Sequence, residues 1–247
     1  MKSAAKVLLA VLLLAGAIFS SLRYLPLSGD GWAKRTALMR REIALRVLGE
    51  FVAREFPGRK VLVVSNPFTR QKTHHSVADF EEAGLRGLKK GWANRIQLQG
   101  IGFPELKPAL AKNPSHGRID PQTTTPLSFM TTDSAWDDLL QSYPDTDVVV
   151  SLIGLPATLH RLEIWRQPKP HFALLLPDLR MIGDSTGVKE AFRSGKLAAA
   201  VLEKPGAPPE SAPMNRDYLA EFNQRFVLIT AANADTLLEE SRNLARR

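Results

Sequence analysis

There is no cysteine among the 247 residues. That excludes disulfides, thiolate metal sites and a thiol nucleophile. Other absences are as specific. No G-x-x-x-x-G-K-[ST] phosphate loop occurs. No G-x-S-x-G elbow occurs either, and Ser151 falls inside an apolar run rather than on a turn. No H-x-x-x-H or other His/Asp set has ligand spacing: His74 and His75 are adjacent and diverge in an extended loop, while His116 and His160 are isolated. We therefore expect no metal and no cofactor. Asp137-Asp138 and Glu81-Glu82 are neighbours on helical stretches and do not share a face. They read as solvated side chains rather than an acid–base pair. Trp32, Trp92, Trp136 and Trp165 are dispersed, as packing residues are. No repeat of solenoid period is present.

What is present begins at the N-terminus. Lys2 and Lys6 precede the run Val7–Phe19 (VLLAVLLLAGAIF), which Ser20, Ser21, Leu22 and Arg23 close. A basic start followed by an apolar core is the design of a signal peptide, and Ala15-Gly16-Ala17 offers a small-x-small cleavage pattern. The same residues also read as a retained membrane anchor, a single transmembrane helix with Lys6 snorkelling. If the anchor is retained, Arg23, Lys34, Arg35, Arg40 and Arg41 favour a cytoplasmic domain under the positive-inside rule. The design of the tail favours export, to a periplasmic or secreted location. The whole chain is net +8, but removing Lys2, Lys6 and Arg23 with the first 29 residues leaves +5. That is a mildly basic globular surface, and no nucleic-acid partner follows from it. Residues 1–29 are thus read as signal or anchor, and 30–247 as a single α/β domain.

Within that domain Asp30 caps a helix to about Phe56, with Leu38, Ile43, Val47, Phe51 and Val52 on one side. Lys60–Ser65 reads as a buried strand, Asn66–His75 as a polar loop, and Ser76–Lys90 as a helix with Val77, Phe80, Leu85 and Leu88 inward. Arg95–Leu98 reads as a weaker strand. Gly100-Ile-Gly102-Phe-Pro-Glu105 lacks the third glycine of a dinucleotide fingerprint and reads as a turn. The stretch 102–133, rich in Pro, Thr and Ser, reads as a long insertion with at most a short helix. Then come a helix Ser134–Tyr143, the strongest strand Asp147–Ile153, a helix from the Gly154-Leu155-Pro156 turn to about Trp165, and a strand His171–Leu176. A helix capped by Asp184 or Ser185 runs to Arg193. Leu197–Leu202 is a strand, 204–213 a loop, Asn215–Gln224 a helix, Phe226–Thr230 a strand, and Asp235–Arg247 a last helix ending on Arg246 and Arg247. About six buried strands alternating with helices predict a doubly wound, mainly parallel α/β sheet, Rossmann-like, preceded by an N-terminal apolar helix.

Such sheets bind ligands outside the carboxyl ends of their strands. Those ends place Asn66, Thr69, Arg70, Asp178, Lys204, Thr230 and Asn233 as candidate ligand-binding residues, beside Ser65, Gly154 and Glu203. The asparagines both give and accept hydrogen bonds, and Arg70 and Lys204 favour an anionic group. The 66–75 loop or the 102–133 insertion would cover the crevice. Gly183-Asp-Ser-Thr-Gly187 starts a helix, so Ser185 and Thr186 are a candidate anion site, with an ordinary helix cap as the alternative.

Asp147-Val-Val-Val-Ser-Leu-Ile-Gly-Leu-Pro156 and Gly195-Lys-Leu-Ala-Ala-Ala-Val-Leu-Glu-Lys-Pro205 resemble passages of type 1 periplasmic-binding-like proteins, over roughly residues 145–232. The resemblance implies an exported module that binds a small solute or a partner protein. Members have two α/β lobes, and the residues after the apolar segment leave too little length for both. The alternatives are an enzyme of hydrolase type with its groups on the strand-end loops, and a non-catalytic structural protein of the envelope.

Overall fold

The computed structural model describes residues 29–70, 75–112 and 127–244. The apolar N-terminal segment, His74, His116, Arg246 and Arg247 lie outside the described residues. No helix among the described residues is long and apolar enough to cross a membrane. The chain divides into two units, Met1–Ala37 and Leu38–Arg247. Of the first, only 29–37 are described, the opening of helix α1 (Gly29–Glu55).

The second unit is built on one six-stranded sheet. Its strands are β1 (Lys60–Val64), β2 (Gln97–Gly102), β3 (Val148–Ser151), β4 (His171–Leu175), β5 (Leu197–Glu203) and β6 (Phe226–Thr230), in the order β2-β1-β3-β4-β5-β6. β1 to β5 are parallel. β6 runs antiparallel to β5, with Ala199 opposite Thr230 and Glu203 opposite Phe226. The chain is thus α/β with a mainly parallel, doubly wound sheet.

Both sheet faces are buried, which is why the central strands are continuous apolar runs. Leu62, Val64, Val149, Phe172, Leu174, Leu197 and Ala200 share a core with Trp136, Leu140, Val188 and Phe192. These last come from α5 (Ala135–Gln141) and α7 (Ser185–Arg193). The alternate residues Val61, Val63, Val148, Val150, Ala173, Leu175, Ala199 and Val201 share the other core with Leu45, Leu48 and Val52 of α1, Leu88 and Trp92 of α2 (His75–Trp92), and Phe222 of α8 (Tyr218–Arg225). Each fully buried Val, Leu or Phe contributes roughly 1.5–3 kcal/mol.

Several local expectations are corrected. The second strand is not Arg95–Leu98 but Gln97–Gly102, so the Gly100–Gly102 stretch is strand rather than turn. Its glycines leave space for neighbours: a Cβ at Gly100 would meet the Tyr143 ring at 2.7 Å, and one at Gly102 the Leu139 side chain at 2.7 Å. The expected helix up to Trp165 is a single 3-10 turn, Leu159–Arg161, followed by the short α6 (Glu163–Arg166). Leu162 between them is extended, at ψ 133°. The described parts of the insertion hold two short helices, α3 (Pro108–Lys112) and α4 (Leu127–Met130), and an antiparallel bridge pairs Leu106 before the first with Thr131 after the second. The last helix, α9, spans Ala234–Leu244.

Candidate functional site

The strand order reverses between β1 and β3: the chain leaves β1 to build β2 on one side, then crosses back to build β3, β4 and β5 on the other. In an open parallel sheet this is where two successive strand-end loops diverge and leave a crevice. The loop after β1 makes one wall. Ser65 N–H donates to the Gly102 carbonyl at 2.9 Å. Asn66 Oδ1 then accepts from Phe68 N–H at 3.0 Å, and Thr69 Oγ1 donates to the Asn66 carbonyl at 2.7 Å. This closes the 3-10 turn Pro67–Arg70. Phe68 is buried with Leu106 and Met130 of the insertion, against Val77, Leu110, Ala111 and Leu127. Arg70 is left exposed at the tip, its guanidinium 5.2 Å from the centre of the Phe103 ring.

The turn after β3 makes the other wall. Ser151 Oγ donates to the Gly154 carbonyl at 2.6 Å and accepts from Ile153 N–H at 3.3 Å. Gly154 is left-handed, at φ 77°, and a Cβ there would lie 3.6 Å from Pro177. Ala157 N–H donates to the Ser128 carbonyl at 2.9 Å. The insertion therefore packs on the β1 loop through Phe68 and hydrogen-bonds the turn after β3.

Beneath the β1 loop lies a cluster that the sequence reading missed. Glu81 is buried, only 6% exposed, where a solvated residue was expected. Its Oε2 accepts from Ser65 Oγ at 2.5 Å and Asn66 N–H at 3.2 Å, and its Oε1 pairs with the Arg41 guanidinium. Arg41 also donates to the Phe80 carbonyl at 2.9 Å. Burial pulls the Arg41 guanidinium below its ordinary range, and Glu81 opposes that. The signal was in the spacing: Glu81 stands four residues after Val77 and four before Leu85, on the face that the apolar pattern turns inward.

The other expected residues are dispersed along the sheet. Asp178, after β4, caps a 3-10 turn, accepting from Arg180 N–H at 3.0 Å and from the Arg180 guanidinium at 2.8 Å. That pairing holds its carboxyl below the usual range. Lys204, after β5, donates from Nζ to the Asn223 carbonyl at 2.5 Å. Both lie at the same sheet edge as Asn66, Thr69 and Arg70, but beyond the strand pair where the order reverses. Thr230 and Asn233 do not share that edge. β6 is antiparallel, so its carboxyl end lies beside the start of β5, and the assumption that every strand end faces one way fails there. Asn233 instead closes its own turn, accepting from Thr230 N–H at 2.8 Å and donating to the Leu228 carbonyl at 3.0 Å. At Ser185 and Thr186 the ordinary cap is what forms: Asp184 accepts from Gly187 N–H at 2.9 Å. Its carboxylate holds the helix start against another anion.

A cavity of about 560 Å³ opens at the opposite, amino edge of the strands. Its polar groups are turned on one another. Lys169 Nζ meets Asp147 at 2.6 Å, Lys60 Nζ meets Asp145 at 3.2 Å, and Asp137 accepts from Glu163 and Ile164 N–H at 3.3 and 3.2 Å. Burial disfavours the charge on Asp147, but Lys169, the Lys60 N–H and Arg59 outweigh it and keep the carboxyl below its usual range. Behind the α6 wall, Lys196 Nζ donates to the Ile164 and Gln167 carbonyls at 2.5 and 2.8 Å, beneath the Trp165 and Phe172 rings. Burial pushes its ammonium down to about 8. The cavity and the point of strand reversal are thus at opposite edges. The candidate site is taken at the reversal, where Arg70 has no carboxylate partner among the described residues; the cavity's charges are paired with one another. Among the described residues no group of three or more His, Asp or Glu is placed to hold a metal ion.

No family model matches the chain, and no curated protein matches it by sequence. Solved structures do. A sugar ABC transport substrate-binding protein from Bordetella parapertussis 12822 is 12% identical with a TM-score of 0.46, covering 80% of this chain and 58% of its own. The arabinose-binding protein AraP from Geobacillus stearothermophilus is 10% identical with a TM-score of 0.44, covering 79% and 62%. The fructose-binding periplasmic domain of a hybrid two-component system is 12% identical with a TM-score of 0.48, covering 84% and 62%. The chain spans about three fifths of the length of these structures.

Proposed function

We propose that this chain is an exported or membrane-anchored α/β module that binds a small solute at the carboxyl edge of β1 and β3. The observation that carries the reading is the reversal of strand order between those two strands, with the exposed Arg70 guanidinium on one wall and the insertion reaching both. Asn66 and Thr69 shape the loop that presents Arg70. Asp178 and Lys204 lie further along the edge and act as turn-closing groups. The groups at this edge that are on display, Arg70 and the hydrogen-bonding Asn66 loop, suit the binding of a solute.

The test is a thermal-shift screen of small solutes on the full chain, with hits mapped by hydrogen–deuterium exchange. A stabilising solute should protect 66–70 and 152–157. Arg70→Ala should remove the shift, and Lys204→Ala should leave it. Protection confined to 137–147 and 163–170 would overturn this placement in favour of the amino-edge cavity.

A further inference from the structure

The basic residues of α1 divide into two sets. Arg40, Arg41, Arg46 and Arg54 are each spent on a carboxylate: Arg40 Nε meets Glu221 at 3.0 Å, Arg41 pairs with Glu81, Arg46 Nε meets Glu50 at 3.0 Å, and Arg54 Nε meets Glu55 at 2.8 Å. Lys34 and Arg35, in the first turns of the same helix, are exposed. Among the described residues Arg35 has no carboxylate within ion-pair distance. Trp32 stands three residues before Arg35, on its face of the helix, and is 41% exposed. Trp92 and Trp136 are buried and Trp165 is half-buried, so Trp32 is the tryptophan most open to water.

An exposed indole beside two cations suits the headgroup layer of a bilayer. Tryptophan gains where its body meets apolar surroundings and its N–H meets water. A lysine or arginine held against anionic lipid adds about fivefold to binding. The sequence puts such a layer within reach. Residues 23–28 separate Leu22, the end of the apolar run, from Gly29 at the start of α1, and that length of chain extends at most about 25 Å. From Arg23 to Arg41 there is one acid, Asp30, against Arg23, Lys34, Arg35, Arg40 and Arg41, so an anionic surface is not repelled. We infer that the start of α1 is an interfacial element: Trp32 enters the headgroup layer of an anionic bilayer, and Lys34 and Arg35 pair with its phosphates. This rests on the membrane-anchored form of the reading above.

The test mixes the full chain with vesicles of phosphatidylcholine alone, or of phosphatidylcholine with phosphatidylglycerol. Co-sedimentation reads the anchor. Acrylamide quenching of Trp32, isolated by difference from Trp32→Phe, reads the contact. The chain should sediment with both kinds of vesicle, and Trp32 should be shielded from acrylamide where phosphatidylglycerol is present and open where it is absent. Lys34→Gln combined with Arg35→Gln should remove the shielding with little change in melting temperature, because both side chains are exposed. Trp32 open on both vesicles, or shielded equally on both, overturns the inference and leaves the anchor standing. So does shielding that persists in the double variant. Sedimentation with phosphatidylglycerol vesicles alone, weakened about thirtyfold by the double variant, upholds the contact and overturns the anchor. Sedimentation with neither overturns both.

Discussion

Glu81 carries more of the fold than its place in an acidic pair suggests. One carboxylate satisfies the Ser65 hydroxyl, the Asn66 N–H and the Arg41 guanidinium at the point where β1 becomes a loop. Removing it strands the half-buried Arg41 guanidinium, the buried Ser65 hydroxyl and the half-buried Asn66 N–H. We expect Glu81→Ala to cost about 3–5 kcal/mol in denaturant unfolding, the range for breaking one side of a buried pair. An unchanged midpoint would mean that water replaces the carboxylate. Lys196 gives a pH prediction of definite sign. Its folded value of about 8 lies below the ordinary 10.5, so between these values the unfolded chain holds more proton. Stability from this group therefore rises as pH increases from about 8 to 10.5, and below 8 its burial is a cost. The stability of the wild type minus that of Lys196→Met should climb by about 3 kcal/mol across that window. A flat difference would place the amine in solvent. The contrast between these residues shows what was legible. Lys196 lies in the Gly195–Pro205 passage, where nothing marks it as buried. Glu81 was marked by spacing, but its charge argued the other way.

At the scale of elements, the strands were legible because a doubly covered strand has no polar face to confuse its pattern. Lys60–Val64, Val148–Ser151 and His171–Leu175 fall within a residue or two of their expected limits. β2 was less legible, since its glycines serve neighbouring rings and its edge position leaves Gln97 and Leu98 exposed. Direction was not legible at all: the run Phe226–Thr230 reads alike in either sense, and this alone moved Thr230 and Asn233 to the wrong edge. Helix contacts carry the next prediction. A Cβ on Gly87 would meet the Glu42 carbonyl at 2.2 Å, and one on Gly91 the Arg46 carbonyl at 2.3 Å. These are backbone atoms of α1, which cannot swing aside. Alanine gains up to ~1 kcal/mol in helix propensity. Forcing two helices apart costs about 1–3 kcal/mol. Gly87→Ala should therefore lower stability on balance, by thermal or urea unfolding, and a stabilised variant would mean that α1 and α2 shift freely.

For the whole molecule, the location turns on the length and charge of the first 29 residues. The run Val7–Leu22 has 16 residues. As a helix it would span about 24 Å, against a hydrocarbon core of about 30 Å. Extension back through Ala4, with Lys6 reaching the headgroups, brings a single span within range. Its core Val7–Phe19, 13 residues, suits an export signal, whose apolar core is ~7–15 residues. Both routes take the chain to the membrane, and they differ in mass. A C-terminally tagged full chain should fractionate with the membrane or the periplasm. Mass spectrometry of the recovered protein should then find either a new N-terminus close to Ala17 or an intact leader in the membrane fraction. Protease protection of the tag separates an outward from an inward domain, which the cluster Lys34, Arg35, Arg40 and Arg41 leaves opposed to the signal design. Recovery wholly in the cytosol with Met1 in place would overturn export and anchoring together, and would leave the strand-end site to be tested as that of an intracellular protein.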